Sequence, residues 1–240
     1  MPGLDLIVRA IRLKDTQVDV ISHNISNANT SGFKEERIAF AESENPDNTN
    51  LSLPASSTTT PTIYLNFAQG DIVRTDNALD LAIEGKGFFE VQTSEGSAYT
   101  RNGSLVLDSE GFLITPAGQK VLGRSGPIRL DGTGDVSISA DGTVTQGTET
   151  KGNIKIVQFS DPSTLIPAGG NLYKPTGGAT GSDVEHPSLL QGSLELSNVS
   201  ILNNMVQMID ASRQFQAYQK VLNDQSRLDR DAAGSLGRLA

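Results

Sequence analysis

Residues 21–34 read ISHNISNANTSGFK, and they mark where one kind of chain gives way to another. Upstream, residues 4–29 carry a helix pattern of unusual regularity. Leu4, Ile7, Ile11, Lys14, Val18, Ile21 and Ile25 recur at alternating steps of three and four, with Lys14 as the only polar member. That spacing makes a narrow apolar seam of the coiled-coil type. A helix packed on its own core shows a wider apolar face. Within the quoted stretch the pattern stops. Asn24, Asn27 and Asn29 suit helix ends and left-handed positions better than helix interiors. Thr30-Ser31-Gly32 is turn chemistry, Gly32 takes a positive φ at no steric cost, and Phe33 supplies an apolar anchor directly after it.

A second long helix pattern occupies residues 200–230, at the other end of the sequence. Ile201, Met205, Met208, Ser212, Phe215, Gln219 and Leu222 follow the same spacing, flanked by Leu202, Val206 and Ile209. The apolar face is wide in the first three turns and narrows afterwards. Met205 and Met208 add adaptable contacts. Ser197, Asn198 and Ser200 each suit a helix N-cap. Two such helices at opposite ends of a sequence are expected to pair with each other, with neighbouring molecules, or with both.

Between them the period changes. Residues 43–62 (SENPDNTNLSLPASSTTTPT) are rich in Ser, Thr, Asn and Pro and read as a linker or extended arm. From residue 63 onward, short alternating runs are separated by Gly- and Asp-rich turns. Examples are Leu79–Ile83, Phe88–Gln92, Ala98–Thr100, Val136–Ile138 and Ile154–Phe159. Short strands at this spacing argue for an antiparallel all-β sheet or barrel-like unit. Residues 169–181 and their flanks read as loop. The expected fold is α+β: long N- and C-terminal helices forming a coiled coil, with a mainly antiparallel β domain inserted. The expected boundaries are 1–34 and 198–240 for the helical domain, 35–62 for the arm and 63–197 for the β domain.

Composition narrows the function. The chain has 240 residues, a net charge of -9, no Cys and no Trp. Without Cys there is no disulfide, thiolate catalysis or Cys-ligated metal. No dense Lys/Arg run offers the basic stripe of a nucleic-acid binder or of a segment that docks on anionic lipid. No stretch approaches the roughly 18 apolar residues of a membrane span. The N-terminus is interrupted by charge and lacks the apolar core of a cleaved signal peptide. His23 falls off the seam and reads as solvated; His186 stands alone before Pro187. The Asp/Gly clusters at 108–111, 131–135 and 141–142 lack EF-hand spacing and read as turns. Gly85-Lys86-Gly87 lacks the spacing and helix of a phosphate loop. No catalytic residue, cofactor site or metal site is expected.

Three stretches carry a resemblance. NISNANTSGFK at 24–34 resembles the N-terminal signature of the bacterial flagellar axial proteins, which include the rod, hook and junction subunits. LDLAIEGKGFFEVQ, AYTRNGSLVLDSEGFLIT and VLGRSGPI resemble the β core of the rod subunits, and QGSLELSNV at 191–199 resembles the signature before their last helix. The VLG-x-x-GPI element and the compact 43–62 segment lean toward the proximal-rod members rather than the distal ones. The resemblance implies a structural subunit of the basal-body rod that assembles helically in the periplasmic space as a drive shaft for motor torque. It implies export through the flagellar export apparatus without signal cleavage, with copies of itself and other rod subunits as partners. It implies no nucleic acid and no small-molecule substrate. The expected assembly residues are Leu4, Ile7, Ile11, Val18, Ile21, Asn24, Ile25, Asn27, Thr30, Gly32 and Phe33 at one end. At the other they are Ser197, Asn198, Val199, Ile201, Leu202, Met205, Val206, Met208, Ile209, Phe215 and Leu222. The alternative of a different class is a secreted β-domain adhesin on a helical stalk.

Overall fold

The computed structural model describes residues 2–41, 60–131 and 134–236. The chain divides into two compact units. One comprises residues 1–26, 36–64 and 200–240; the other comprises 27–35 and 65–199. Of the arm expected at 35–62, residues 42–59 lie outside the described residues.

The helical unit contains α1 (Pro2–Ser26) and α2 (Ile201–Leu236) side by side. A two-stranded ribbon joins them, made of β1 (Glu36–Ala41) and β2 (Thr60–Leu65). At a rise of ~1.5 Å per residue, the 36 residues of α2 extend roughly 54 Å. On α1, Arg9, Arg12, Asp15, Asp19 and His23 are exposed. Ile7, Ile11, Val18 and Ile25 are half-buried, and Ile21 is buried. His23 is not purely solvated, because its Nδ1 lies 3.1 Å from the Glu36 carboxylate.

The expected coiled coil is corrected here. Ile201 and Met205, which head the expected seam of α2, are exposed. Among the side chains described, the covered positions are Asn204, Met208, Ala211, Ser212, Phe215, Tyr218 and Leu222. The fully buried members, Asn204 and Ala211, are a polar and a small residue, not apolar knobs. The first three turns of α2 carry two adjacent apolar stripes. Periodicity gives the step along a stripe but not which stripe meets the neighbouring helix. The choice falls on the stripe with less apolar mass, so Leu202, Met205, Val206 and Ile209 face outward.

The β unit is antiparallel in the strand pairs described. Its main sheet is centred on β5 (Phe88–Thr93), flanked by β6 (Gly96–Thr100) on one side and residues 120–123 on the other. Residues 136–138, 143–146 and 149–153 form a separate three-stranded sheet. Leu81, Ile83, Phe89, Val91, Leu113, Val121, Ile154 and Ile156 fill the core. An aromatic satellite of Phe88, Phe159 and Tyr173 packs with Phe67 and Tyr99. Residues 165–169 and 172–175, expected as loop at least in part, pair as a hairpin. Gly170 and Asn171 turn it with φ of 59° at both positions, the backbone that a two-residue primed turn requires.

Two short ribbons close the unit. β3 (Ile72–Arg74) pairs with residues 193–195, and β4 (Leu81–Ile83) pairs with residues 189–191. The last strands of the unit thus return to its first ones, and Glu195 arrives opposite Ile72.

Candidate functional site: a buried ionic node

Three charged side chains meet inside the β unit. Lys34, Arg101 and Glu195 are 0%, 4% and 1% exposed. Lys34 comes from the stretch after the Gly32 turn, Arg101 from the end of β6, and Glu195 from the closing strand. Glu195 Oε1 accepts a hydrogen bond from Lys34 Nζ and another from the Gly70 N–H at 3.0 Å. Its Oε2 accepts from Arg101 at 3.0 Å. Lys34 also donates to the Ala68 carbonyl at 2.8 Å. Arg101 donates to the carbonyls of Ile83 at 3.3 Å and Gly85 at 2.6 Å, and its guanidinium lies 5.4 Å from the centre of the Phe88 ring.

Burial opposes charge on both cations. It pushes the Lys34 ammonium below its ordinary pKa, against the pull of Glu195 in the other direction. Burial lowers the Arg101 guanidinium likewise, again resisted by Glu195. Such a cluster adds little net stability compared with an apolar core, but removing one partner is expensive because it strands a charge.

Backbone and amide contacts surround this node. Gly32 has a φ of +70°, and a Cβ added there would fall 2.4 Å from the Arg101 carbonyl carbon. Its N–H donates to the Glu195 carbonyl at 2.8 Å. Asn198 spends its whole amide on backbone: Oδ1 accepts from Glu35 N–H at 2.8 Å, and Nδ2 donates to the carbonyls of Asn66 at 2.7 Å and Ala68 at 2.9 Å. Asn171 holds the Ser31 carbonyl at 3.1 Å.

The expected assembly residues fall in several places. Gly32, Phe33 and Asn198 belong to or border the node. Asn27 and Thr30 shape the turn before it, through Thr30 N–H to the Asn27 carbonyl at 3.0 Å. Asn24, in the helical unit, clamps Glu36 with two hydrogen bonds of 2.8 Å to its backbone N–H and carbonyl. Ser197 accepts from Val199 N–H at 3.2 Å, and Val199 is buried. Ser200 takes the N-cap position of α2, where its carbonyl accepts from Asn204 N–H at 3.0 Å. Leu4, Ile7, Ile11, Val18, Ile21 and Ile25 lie on α1; Met208, Phe215 and Leu222 lie on the covered face of α2. Ile201, Leu202, Met205, Val206 and Ile209 are exposed. Sequence reasoning missed the three ionic residues as a group.

The Asp/Gly clusters at 108–111 and 141–142 serve as turns, and the one expected at 131–135 lies partly outside the described residues. Asp108 accepts from the N–H groups of Glu110 and Phe112, and Asp141 accepts from Thr143. No group of side chains suited to a metal occurs among the described residues. Among the same residues, no helix is long and apolar enough to cross a membrane.

The chain thus carries a β unit with a buried charge node and a unit of two long helices. Comparison with known proteins specifies the class. A family model described as the flagellar hook protein FlgE/F/G D1 domain matches residues 82–146. The model for the C-terminal part of the flagellar basal body rod FlgEFG protein matches 190–234, and that for the flagella basal body rod protein matches 6–34. The chain is 36% identical over 227 residues to the flagellar basal-body rod protein FlgF of Caulobacter vibrioides, covering 93% of each chain. It is 35% identical over 237 residues to the rod protein FlgG of Bacillus subtilis, covering 86% of this chain and 88% of that one. With the FlgF of Mesorhizobium japonicum the identity is 28%, over 93% of this chain and 92% of that one. This chain belongs to the flagellar basal-body rod protein family. Each of the three matched segments contributes one member of the node: Lys34, Arg101 and Glu195.

Proposed function

We propose that this chain is a subunit of the proximal rod, joined there to copies of itself and to other rod subunits. It is exported through the flagellar export apparatus without signal cleavage, and it assembles helically in the periplasmic space. There it transmits motor torque through rigid, repeated contacts, and its role is structural rather than catalytic. The proximal assignment is supported by the VLG-x-x-GPI element and the compact 43–62 segment. The near-equal identities to FlgF and FlgG relatives keep the distal rod as the second reading.

The observation that carries the assembly reading is the outward stripe of α2. Leu202 is 73% exposed, Met205 49%, Val206 53% and Ile209 53%. A contiguous apolar patch of this kind marks an interaction surface. Fully burying such a side chain contributes roughly 1.5–3 kcal/mol, so a neighbour that covers the stripe gains a large part of an interface.

The test is a Leu202→Asp, Val206→Asp double variant in a bacterium lacking its own copy of the protein. Isolated basal bodies should lack the variant, while the purified variant unfolds at the wild-type denaturant midpoint. Wild-type incorporation would refute the assignment of this stripe to assembly.

A further inference from the structure

The ionic node is one anion short. Among the described residues, Lys34 and Arg101 share the single buried carboxylate of Glu195. Arg101 Nε is buried and has no hydrogen-bond partner among them. Most side chains with such an atom find a partner, so an orphan calls for a reason.

Arg101 also lines a cleft of about 140 Å³, together with Lys86, Phe67, Phe88, Phe159 and Ser160. Lys86 is exposed and adds a second positive charge. The aromatic wall is held by edge-to-face contacts, Phe67 on Phe88 at 5.4 Å and Phe88 on Phe159 at 6.1 Å. The size is informative. Small-molecule sites occupy roughly 300–1,000 Å³, whereas a cavity of about 150 Å³ admits one benzene ring. This cleft takes one side chain. Its chemistry asks for an apolar stem against the rings and an anionic head toward the two cations.

We propose that the cleft receives a carboxylate side chain, Asp or Glu, from a second copy of this chain. Charge complementarity selects that occupant. The chain has 28 acidic residues against 19 basic ones, so each copy presents many carboxylates to its neighbours. A cleft on one copy that takes an acidic residue from a different surface of the next is a heterologous contact. Such contacts build rings or open helical filaments, not closed two-fold dimers. The inference rests on the assembly reading and adds a polar, directional contact to the apolar one on α2.

The test uses the purified full chain and two readouts. Phenylacetate serves as the probe of the cleft, followed by the backbone amide shifts of Gly87, Phe88 and Arg101. Self-association is followed by sedimentation across a concentration series, at low and at high salt. Phenylacetate should shift those amides saturably. Association should weaken at least tenfold in Lys86→Glu, weaken with salt, and weaken with added phenylacetate. Lys86 is exposed, so the Lys86→Glu variant should keep the wild-type unfolding midpoint. Absence of phenylacetate-induced shifts would overturn the site. Shifts without any loss of association in Lys86→Glu, or no self-association at all, would overturn the second copy as occupant. Either failure leaves the rod assignment standing if the Leu202→Asp, Val206→Asp variant still fails to incorporate.

Discussion

The backbone N–H of Gly32 donates to the carbonyl of Glu195 at 2.8 Å, with the Glu195 side chain turned to Lys34 on the same strap. One residue is a turn glycine and the other a strand carboxylate, and together they fasten residues 27–35 into the β unit. Gly32→Ala tests this fastening directly. A left-handed φ costs a non-glycine residue about 1–2 kcal/mol, and the new Cβ would also press on the Arg101 backbone. Urea unfolding of the β unit should show a loss larger than that conformational cost alone. A change below about 0.5 kcal/mol, the range of ordinary surface substitutions, would mean that the strap is not fastened there.

Glu195→Gln keeps the shape of the node and removes its anion. Lys34 and Arg101 would then be buried with no counter-charge. The expected destabilisation is roughly 3–5 kcal/mol, the range for breaking a buried pair. Equilibrium denaturation measures it. A cost under about 1 kcal/mol would show that Lys34 and Arg101 reach water in solution.

The depressed pKa of Lys34 makes a signed prediction. In the folded state the ammonium loses its proton at a lower pH than in the unfolded chain. Between the depressed value and 10.5, the unfolded state therefore binds more protons. Stability then rises with pH across that window and is independent of this group below it. Lys34→Met removes the titration while keeping a stem of similar length. The stability of the wild type relative to Lys34→Met should climb as pH approaches 10.5. A relative decline over the same range would reverse the assigned direction.

Hydrogen exchange separates the two units in the unassembled chain. Residues 81–83 of β4 and 88–91 of β5 are buried, Leu81, Phe89 and Val91 at 0%, and their amides should exchange only through global unfolding of the β unit. The first turns of α2, with their large side chains in water, should exchange faster by orders of magnitude. Equal protection would indicate that α2 is already covered in solution.

Much of the β unit was legible from alternation. The strand expected at Val136–Ile138 forms at those residues, and Phe88–Gln92 extends by a single residue to Thr93. Gly32 was legible as a turn glycine because few residues tolerate its φ. The seam of α2 was not, because two neighbouring stripes satisfy the same period. The node was hidden for a different reason. In Ser193-Leu194-Glu195-Leu196, alternation alone would send the leucines inward and the carboxylate outward. The structure buries the carboxylate instead: Glu195 is 1% exposed, Leu194 is half-buried and Leu196 is 37% exposed. Only the partners explain that inversion, and they lie 161 and 94 positions away in the chain. The hairpin at 165–175 was missed because glycines around its turn look like loop composition until the positive φ values are seen.

Those long separations bear on the order of events in a growing polypeptide. Synthesis delivers Lys34 early and Arg101 next, and both stay without their shared counter-ion until position 195 has left the ribosome. Loops of that size close late and at high entropic cost. A ribosome-bound or C-terminally truncated chain ending before Glu195 therefore lacks its final fastening, however complete the preceding strands are. The counter-ion that completes the node is thus the last of its three members to be made, long after the two cations that depend on it.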